Sequence, residues 1–172
     1  MPTRWPGNAE GREALADLDR LALSAGARRV VGPGLVVTLS DSAAAGTSTG
    51  ANRQSRGVVL DRDLQQVVNA LWASGAEAIA VGGVRLNSAA TIRQAGGAIL
   101  VNNQPIAQPY AVSAIGKPNE LQTGFVVSDA YTGLTAVAKA YGVGFAVAAN
   151  AEIELPAAVP AEPRFAVPEG PR

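Results

Sequence analysis

The feature that most constrains the fold is a strand–helix–strand pattern that occurs twice along the chain. In its first occurrence, Leu35–Leu39 is a strand rich in branched residues, and Asp61 is placed to cap the helix that follows. That helix carries an apolar stripe of Leu64, Val67, Val68, Leu71 and Trp72. Ala78–Val81 is apolar on both faces, which predicts an interior strand. The unit therefore predicts two parallel strands joined by a right-handed crossover.

The second occurrence lies in the C-terminal half. Tyr110–Ile115 is a strand, and a helical pattern follows up to Gly142 with an interruption near Ser128. Gly144–Ala148 is the last core strand, which Ile153–Leu155 extends or follows. The same order of elements is thus repeated, with room for short strands between the two units.

Those short strands are predicted at Val84–Asn87 and Ala98–Val101. Asn102–Asn103 suits a tight turn with positive φ, while Pro105 and Pro109 favour edge or irregular positions. We therefore predict an α/β (α+β) fold. It is a ferredoxin-like split βαβ sheet with an inserted strand hairpin and helices on one face, preceded by an N-terminal helix.

The N-terminal helix is predicted over residues 9–25, with Asn8 as its N-cap and Gly26 just past its end. Its apolar residues recur at the spacing of a short coiled-coil seam, namely Leu15, Leu18, Ala22 and Ala25. Two interpretations stay open: an amphipathic helix docked on its own domain, or the end of a longer coiled coil. Two heptads are too few to choose between them.

The chain divides into three parts by composition. Residues 1–30 hold the helix, residues 31–155 form the α/β domain, and residues 156–172 are a Pro-rich tail predicted to be mostly disordered. Gly32-Pro33-Gly34 is expected to break the chain before the first strand. The stretch 42–57 has no apolar period and is expected to be either functional or flexible, with flexibility favoured.

Composition excludes much enzyme chemistry, because the 172 residues include no histidine and no cysteine. Catalytic triads, thiol nucleophiles and the usual zinc, haem or iron–sulfur sites are therefore excluded. Fourteen basic residues balance fourteen acidic ones without a basic stripe, so nucleic acid is not an expected partner. No apolar run approaches a membrane span, and the N-terminus does not read as a signal peptide.

Between Asp63 and Gly116 the sequence resembles a known family. It rests on Leu71-Trp72-Ala73-Ser74-Gly75-Ala76-Glu77-Ala78-Ile79, Arg85-Leu86, Thr91-Ile92-Arg93, Gly96-Gly97-Ala98-Ile99-Leu100-Val101-Asn102 and Pro109-Tyr110-Ala111-Val112-Ser113-Ala114-Ile115-Gly116. These stretches resemble the uncharacterised bacterial domain of unknown function 881. The family's usual Asn-Gly-Gln-Arg reads Gly82-Gly83-Val84-Arg85 here, so the arginine is kept and the amides are lost.

The resemblance implies a location as well as a fold. Members, typically from Gram-positive groups, combine an N-terminal membrane helix, a coiled coil and this domain outside the membrane. This sequence has no such membrane helix, which implies that it is a soluble fragment of an extracytoplasmic, membrane-anchored protein. The N-terminal seam would then be the end of the coiled coil.

The candidate binding residues form a polar surface of Arg85, Asn87, Thr91 and Arg93, to which Lys117 at a strand–helix turn is added. Two guanidiniums can grip a carboxylate or phosphate, and the turn offers N–H groups and a helix dipole beside Lys117. The competing interpretation is that these residues face solvent or pair internally with Glu77 and Asp63. The close carboxylate pairs, Asp61/Asp63 and Glu152/Glu154, are better explained by capping and strand positions than by catalysis.

We therefore expect a non-enzymatic domain that needs no metal and no cofactor. Its expected role is an envelope scaffold or protein-interaction domain, in the context of cell division or cell-wall assembly. Expected partners are envelope or division proteins, or a second copy through the N-terminal helix. The alternative is a sensor of small anions or metabolites that uses Arg85 and Arg93.

Overall fold

The computed structural model describes residues 7–43, 45, 57–159 and 165 and shows a mixed α/β domain, as predicted. The helices of this part are α1 (Gly7–Ser24), α2 (Asp61–Ala73), α3 (Pro118–Val126) and α4 (Asp129–Tyr141). The strands are β1 (Val30–Ser40), β2 (Ala78–Val81), β3 (Val84–Arg85), β4 (Ile92–Ala95), β5 (Ala98–Val101), β6 (Gln104–Ile106), β7 (Tyr110–Ile115) and β8 (Gly144–Leu155). Most of the predicted loop 42–57 and of the tail lies outside the described residues.

The main sheet has five strands in the order β3-β2-β7-β1-β8, and every neighbouring pair is antiparallel. Strands β1 and β2 run in the same direction, as predicted, but β7 lies between them. In the same way β1 lies between β7 and β8. In each strand–helix–strand unit, the two parallel strands are therefore separated by one strand of the other unit. The antiparallel pairs come from interleaving the two units.

A second sheet has the order β4-β5-β6 and is larger than the predicted hairpin. Strand β5 has the predicted bounds, but β4 and β6 were not predicted, because one is short and half polar and the other contains a proline. The turn at Asn102 and Asn103 has the predicted positive φ values of 50° and 64°, and it joins β5 to β6. The predicted strand Val84–Asn87 ends at Arg85, so Asn87 lies beyond the strand and not on the same strand face as Arg85.

Helices α2, α3 and α4 pack on one face of the main sheet. Residues that alternate along β1, Leu35, Val37 and Leu39, are fully buried against that layer. Three aromatic rings, of Phe125, Tyr131 and Phe145, meet edge to face where α3, α4 and β8 converge. The opposite face holds a smaller cluster that includes Ala78, Ala80, Ile115, Ile153 and Leu155.

The predicted chain break at Gly32-Pro33-Gly34 is wrong, because β1 continues through it. The pairing of β1 with β8 shifts register between Gly32 and Gly34, which is the mark of a bulge. A Cβ atom on Gly34 would lie 1.9 Å from the Ala114 carbonyl oxygen. The glycine therefore allows a close approach of β7, which a sequence pattern cannot distinguish from a turn.

Two helix starts also differ from the predictions. Helix α1 begins at Gly7, so Asn8 lies within its first turn, and the side chain of Asn8 is outside the described part. The N-cap of α2 is Leu60, whose N–H donates to the Asp63 carboxylate at 2.9 Å. Asp61 is the first helical residue instead, and its carboxylate accepts from the Gln94 N–H at 3.0 Å. Asp61 thus links α2 to β4.

Candidate functional site

Arg85 is the buried polar residue of the described chain, with 5% of its surface exposed. Its Nη1 atom donates to the backbone carbonyl oxygens of Arg28 and Pro156, each at 3.2 Å. Beside it, the Ala158 N–H donates to the Gly26 carbonyl at 2.8 Å. The guanidinium therefore ties the segment before β1 and the segment after β8 to β3, and residues 156–159 of the tail lie against the domain.

Burial lowers the pKa of Arg85, because desolvation disfavours the charged form. Arginine nevertheless stays charged at neutral pH. No carboxylate among the described residues forms an ion pair with it, so the predicted internal pair with Glu77 is absent there. Its Nε atom is buried without a hydrogen-bond partner in the same part of the chain. Among the described residues, the hydrogen-bond acceptors of this guanidinium are two backbone carbonyl oxygens.

Three of the five predicted residues, Arg85, Asn87 and Thr91, line one groove of about 580 Å³. The opposite walls are the 102–104 turn and residues 156–159. Thr91 and Asn102 are joined twice: the Thr91 N–H donates to Asn102 Oδ1 at 3.0 Å, and the Asn102 N–H donates to the Thr91 carbonyl at 2.9 Å. These two bonds hold Thr91 against the 102–104 turn, on the lining of the groove that also contains Arg85.

Arg93 does not line that groove. It lines a second groove of about 600 Å³ between α2 and β4, and its Nη2 atom donates to Asn103 Oδ1 at 3.0 Å. Trp72 lines the same groove and is 41% exposed. Its assignment to the buried stripe of α2 was therefore wrong. Trp72 stands at the edge of the apolar stripe and lies on the surface, which the apolar spacing alone does not predict.

Lys117 is the N-cap residue of α3, and its Nζ atom lies 3.0 Å from Glu120 Oε1. That hydrogen bond raises the pKa of Lys117, which is fully exposed. Its charge is already paired within the first turn of α3. Asn87 and Thr91 line both grooves, with Arg85 in the first and Arg93 in the second, whereas Lys117 lines neither.

The close carboxylate pairs of the described part lie at a helix start and on an edge strand. Asp63 accepts the N–H of the N-cap residue Leu60, as the capping interpretation expected, whereas Asp61 accepts from the N–H groups of Arg62 and Gln94. Glu154 pairs with Arg29 across the main sheet, so it has a structural partner. In the described ranges no group of three or more acidic residues is placed to hold a metal. The same ranges contain no helix whose length and hydropathy would let it cross a membrane.

Helix α1 carries several large apolar side chains that are exposed among the described residues. Leu15, Leu18 and Leu21 are 63%, 61% and 64% exposed. An ion pair between Asp19 and Arg28 joins the last turns of α1 to the segment that follows. The interpretation of α1 as a docked helix therefore does not hold for these leucines.

Comparison with known proteins finds relatives in Mycobacterium tuberculosis and Bacillus subtilis. UPF0749 protein Rv1823 of Mycobacterium tuberculosis (strain ATCC 25618 / H37Rv) is 45% identical over 168 residues, which is 95% of this chain and 55% of that protein. UPF0749 protein YlxW of Bacillus subtilis (strain 168) is 36% identical over 113 residues, covering 66% of this chain and 48% of that protein. The chain thus spans about half the length of these relatives.

A solved structure shares the fold. The crystal structure of an uncharacterized conserved protein from Mycobacterium tuberculosis superposes with a TM-score of 0.67 at 25% identity, covering 89% of this chain and 99% of that one. A family model described as "Bacterial protein of unknown function (DUF881)" matches residues 17–167. That match confirms the resemblance seen in the sequence, and the chain belongs to the DUF881 family.

Proposed function

We propose that this chain is a non-enzymatic interaction domain that associates with a second copy of itself through α1. The observation that carries the proposal is the exposed stripe of α1, whose leucines at positions 15, 18 and 21 are all more than 60% exposed. An isolated helix of this length is marginal in water, so a partner for its apolar side stabilises it. Each leucine buried in such a pairing contributes about 1.5–3 kcal/mol.

The distribution of residues around α1 supports a pairing of two helices. With 3.6 residues per turn, the apolar side gathers Ala14, Leu15, Leu18, Leu21, Ala22 and Ala25. Arg12, Asp17 and Arg20 fall outside that side. Leu15, Leu18, Ala22 and Ala25 keep the 3-4-3 spacing of a coiled-coil seam. One side is thus suited to a helical partner and the other to solvent.

Sedimentation velocity of the full chain over a concentration series tests the proposal. The unmodified chain is expected to form a dimer, and Leu15→Glu/Leu18→Glu is expected to weaken it strongly, because two carboxylates replace the centre of the seam. The matched control is Ala136→Glu/Ala140→Glu, which adds the same charge on the exposed side of α4. A mass that the leucine substitutions leave unchanged would contradict the proposal.

We also propose that the domain works in the bacterial cell envelope, on the outer side of the cytoplasmic membrane, as a scaffold linked to division or cell-wall assembly. Support comes from the family resemblance, and from relatives of which the matched region covers about half, which leaves room for an anchor. The test is protease accessibility of the native full-length protein in intact, wall-stripped cells. Cleavage of this domain is expected without lysis; cleavage only after lysis would refute the location.

A second candidate function is the binding of a small anion beside Arg85 and Arg93. Two observations favour it: the buried Arg85 charge lacks a carboxylate partner among the described residues, and the groove of Arg93 shares Asn87 and Thr91 with the groove of Arg85. A thermal-shift screen against inorganic phosphate and dicarboxylates tests it with Arg93→Gln, because Arg93 is exposed and its loss leaves the core intact. A stabilisation that disappears in this variant supports anion binding, and the absence of any stabilisation refutes it.

A further inference from the structure

We infer that β8 is a second self-association surface, which pairs antiparallel with β8 of another copy across a two-fold axis. The inference starts from the position of β8 at one edge of the five-stranded sheet. Among the described residues, β1 is the one strand that pairs with it. The other edge of β8 therefore presents a row of backbone N–H and C=O groups, which can template a further strand.

The length of this edge is unusual. Strand β8 has 12 residues, whereas strands of about five or six residues are typical. The opposite edge of the same sheet, β3, has only 2 residues, and its Arg85 is covered by the segments before β1 and after β8. A short, covered edge is a common protection against unwanted pairing, and β8 lacks it.

The composition of β8 also lacks the usual protections. Residues 144–151 contain no charged residue and no proline, and the exposed positions are Ala146 and the run from Ala148 to Glu152. Near the start of the strand Phe145 and Val147 pack against the helix side of the sheet, and near its end Ile153 is buried on the opposite face. The middle of β8 is therefore open on both faces, with small side chains that let another backbone approach.

The occupant that this strand fits is a second copy of itself. In a two-fold antiparallel pair, the residue at the axis lies opposite the same residue of the other copy. The N-terminal half of each strand then lies opposite the C-terminal half of the other. With the axis between positions 148 and 150, Glu152 and Glu154 face uncharged residues of the other copy, so no like charges oppose. Glu154 is in addition paired with Arg29 of its own chain. The strand is thus complementary to itself.

This pairing does not depend on α1. If α1 also associates, the tether raises the effective concentration of the two domains and strengthens a pairing that relies mainly on backbone hydrogen bonds. The inference is therefore tested in the Leu15→Glu/Leu18→Glu background, so that its failure and the failure of α1 association are separate results.

In that background we expect sedimentation to show a residual dimer that Ala148→Lys/Asn150→Lys weakens by about tenfold or more. The two positions lie on the same face of β8, so two lysines oppose each other whether the axis passes at 148, 149 or 150. Ala136→Lys/Ala140→Lys on α4 adds the same charge elsewhere and is expected to leave the dimer intact. A monomer at every concentration, or an equal loss in the control, would overturn the inference.

Cysteine cross-linking supplies a second test that does not rely on weakening the fold. The chain has no cysteine, so a single introduced one reports on one position. Opposed residues of antiparallel strands have Cα atoms about 4.5–5.5 Å apart, within disulfide range. We expect mild oxidation to cross-link a cysteine at one of positions 148–150 far faster than Ala140→Cys on α4. Equal rates at all four positions would overturn the pairing.

Discussion

Helices α1 and α2 carry the same kind of apolar pattern and use it differently. In α2, Leu64 and Leu71 are fully buried beneath the sheet, whereas Leu15 and Leu18 of α1 remain more than 60% exposed. The difference lies in how each helix is connected. Helix α2 joins two strands of one sheet and must fold back over it, while α1 precedes the first strand and an ion pair joins its C-terminal half to the segment before that strand. An apolar stripe shows that a helix needs a partner, but not where that partner comes from.

The largest effect is expected from Leu71→Ala in α2. Removing a fully buried leucine leaves a cavity in the main core and lowers the free energy of unfolding by about 2–5 kcal/mol. Urea unfolding followed by circular dichroism measures this. A loss below about 1 kcal/mol would contradict the assignment of α2 to the cooperative core.

A smaller effect is expected at the joint between α1 and the domain. Arg85→Met keeps the buried stem but removes the donor to the Arg28 and Pro156 carbonyls, which costs about 1–3 kcal/mol of unfolding free energy. Faster amide hydrogen exchange near Gly26 and Ala158 should accompany it. Arg93→Met is the matched control, because Arg93 is exposed and is expected to change stability little. Equal losses in both variants would show that Arg85 has no special role.

Glycine-to-alanine substitutions in α1 and α4 test the same difference between α1 and the domain with variants that are expected to stabilise a helix. A Cβ atom on Gly11 of α1 or on Gly133 of α4 meets nothing within 4 Å, so alanine is sterically allowed at both. Gly133→Ala is expected to raise the unfolding free energy of the domain by about 0.5–1 kcal/mol. Gly11→Ala is expected to increase helicity while leaving the unfolding midpoint of the domain unchanged. A shared shift of the midpoint would show that α1 unfolds together with the domain.

The smallest effect is expected from Leu18→Ala, the counterpart of Leu71→Ala. Because Leu18 is 61% exposed, the unfolding free energy of the monomer should change by less than about 0.5 kcal/mol. Denaturation at low protein concentration, where association is suppressed, measures it. A loss comparable to that of Leu71→Ala would mean that α1 is covered by its own domain.

Features specified by neighbouring residues were predictable from the sequence. Strands β5 and β7 have the predicted bounds, and the Asn102–Asn103 turn has its positive φ values. The helical pattern is interrupted at Ser128 and ends at Gly142, as predicted; the structure adds that the Ser128 side chain caps α4 and that Gly142 is left-handed. Each depends on one or two side chains acting on the adjacent backbone, so local chemistry is sufficient.

Features that depend on distant contacts were not predictable. Gly34 resembles a chain break until the approach of Ala114 from β7 is known, and Trp72 resembles a core residue until the edge of the α2 layer is located. Arg85 was proposed as a ligand-binding residue, yet its Nη1 atom bonds carbonyls 57 and 71 residues away in the chain. A sequence pattern shows the chemical type of each residue but not the group opposite it.

The sequence by itself determined the family, the mixed α/β class and the order of the elements, because apolar periodicity, caps and turns act within a few residues. Only the tertiary structure decided which surfaces remain open. The interleaving of the two strand–helix–strand units leaves β8 at an edge, and the main core closes around α2, while the leucines of α1 stay exposed among the described residues. Burial is a property of the whole arrangement, since it depends on which distant segment comes to lie opposite each residue.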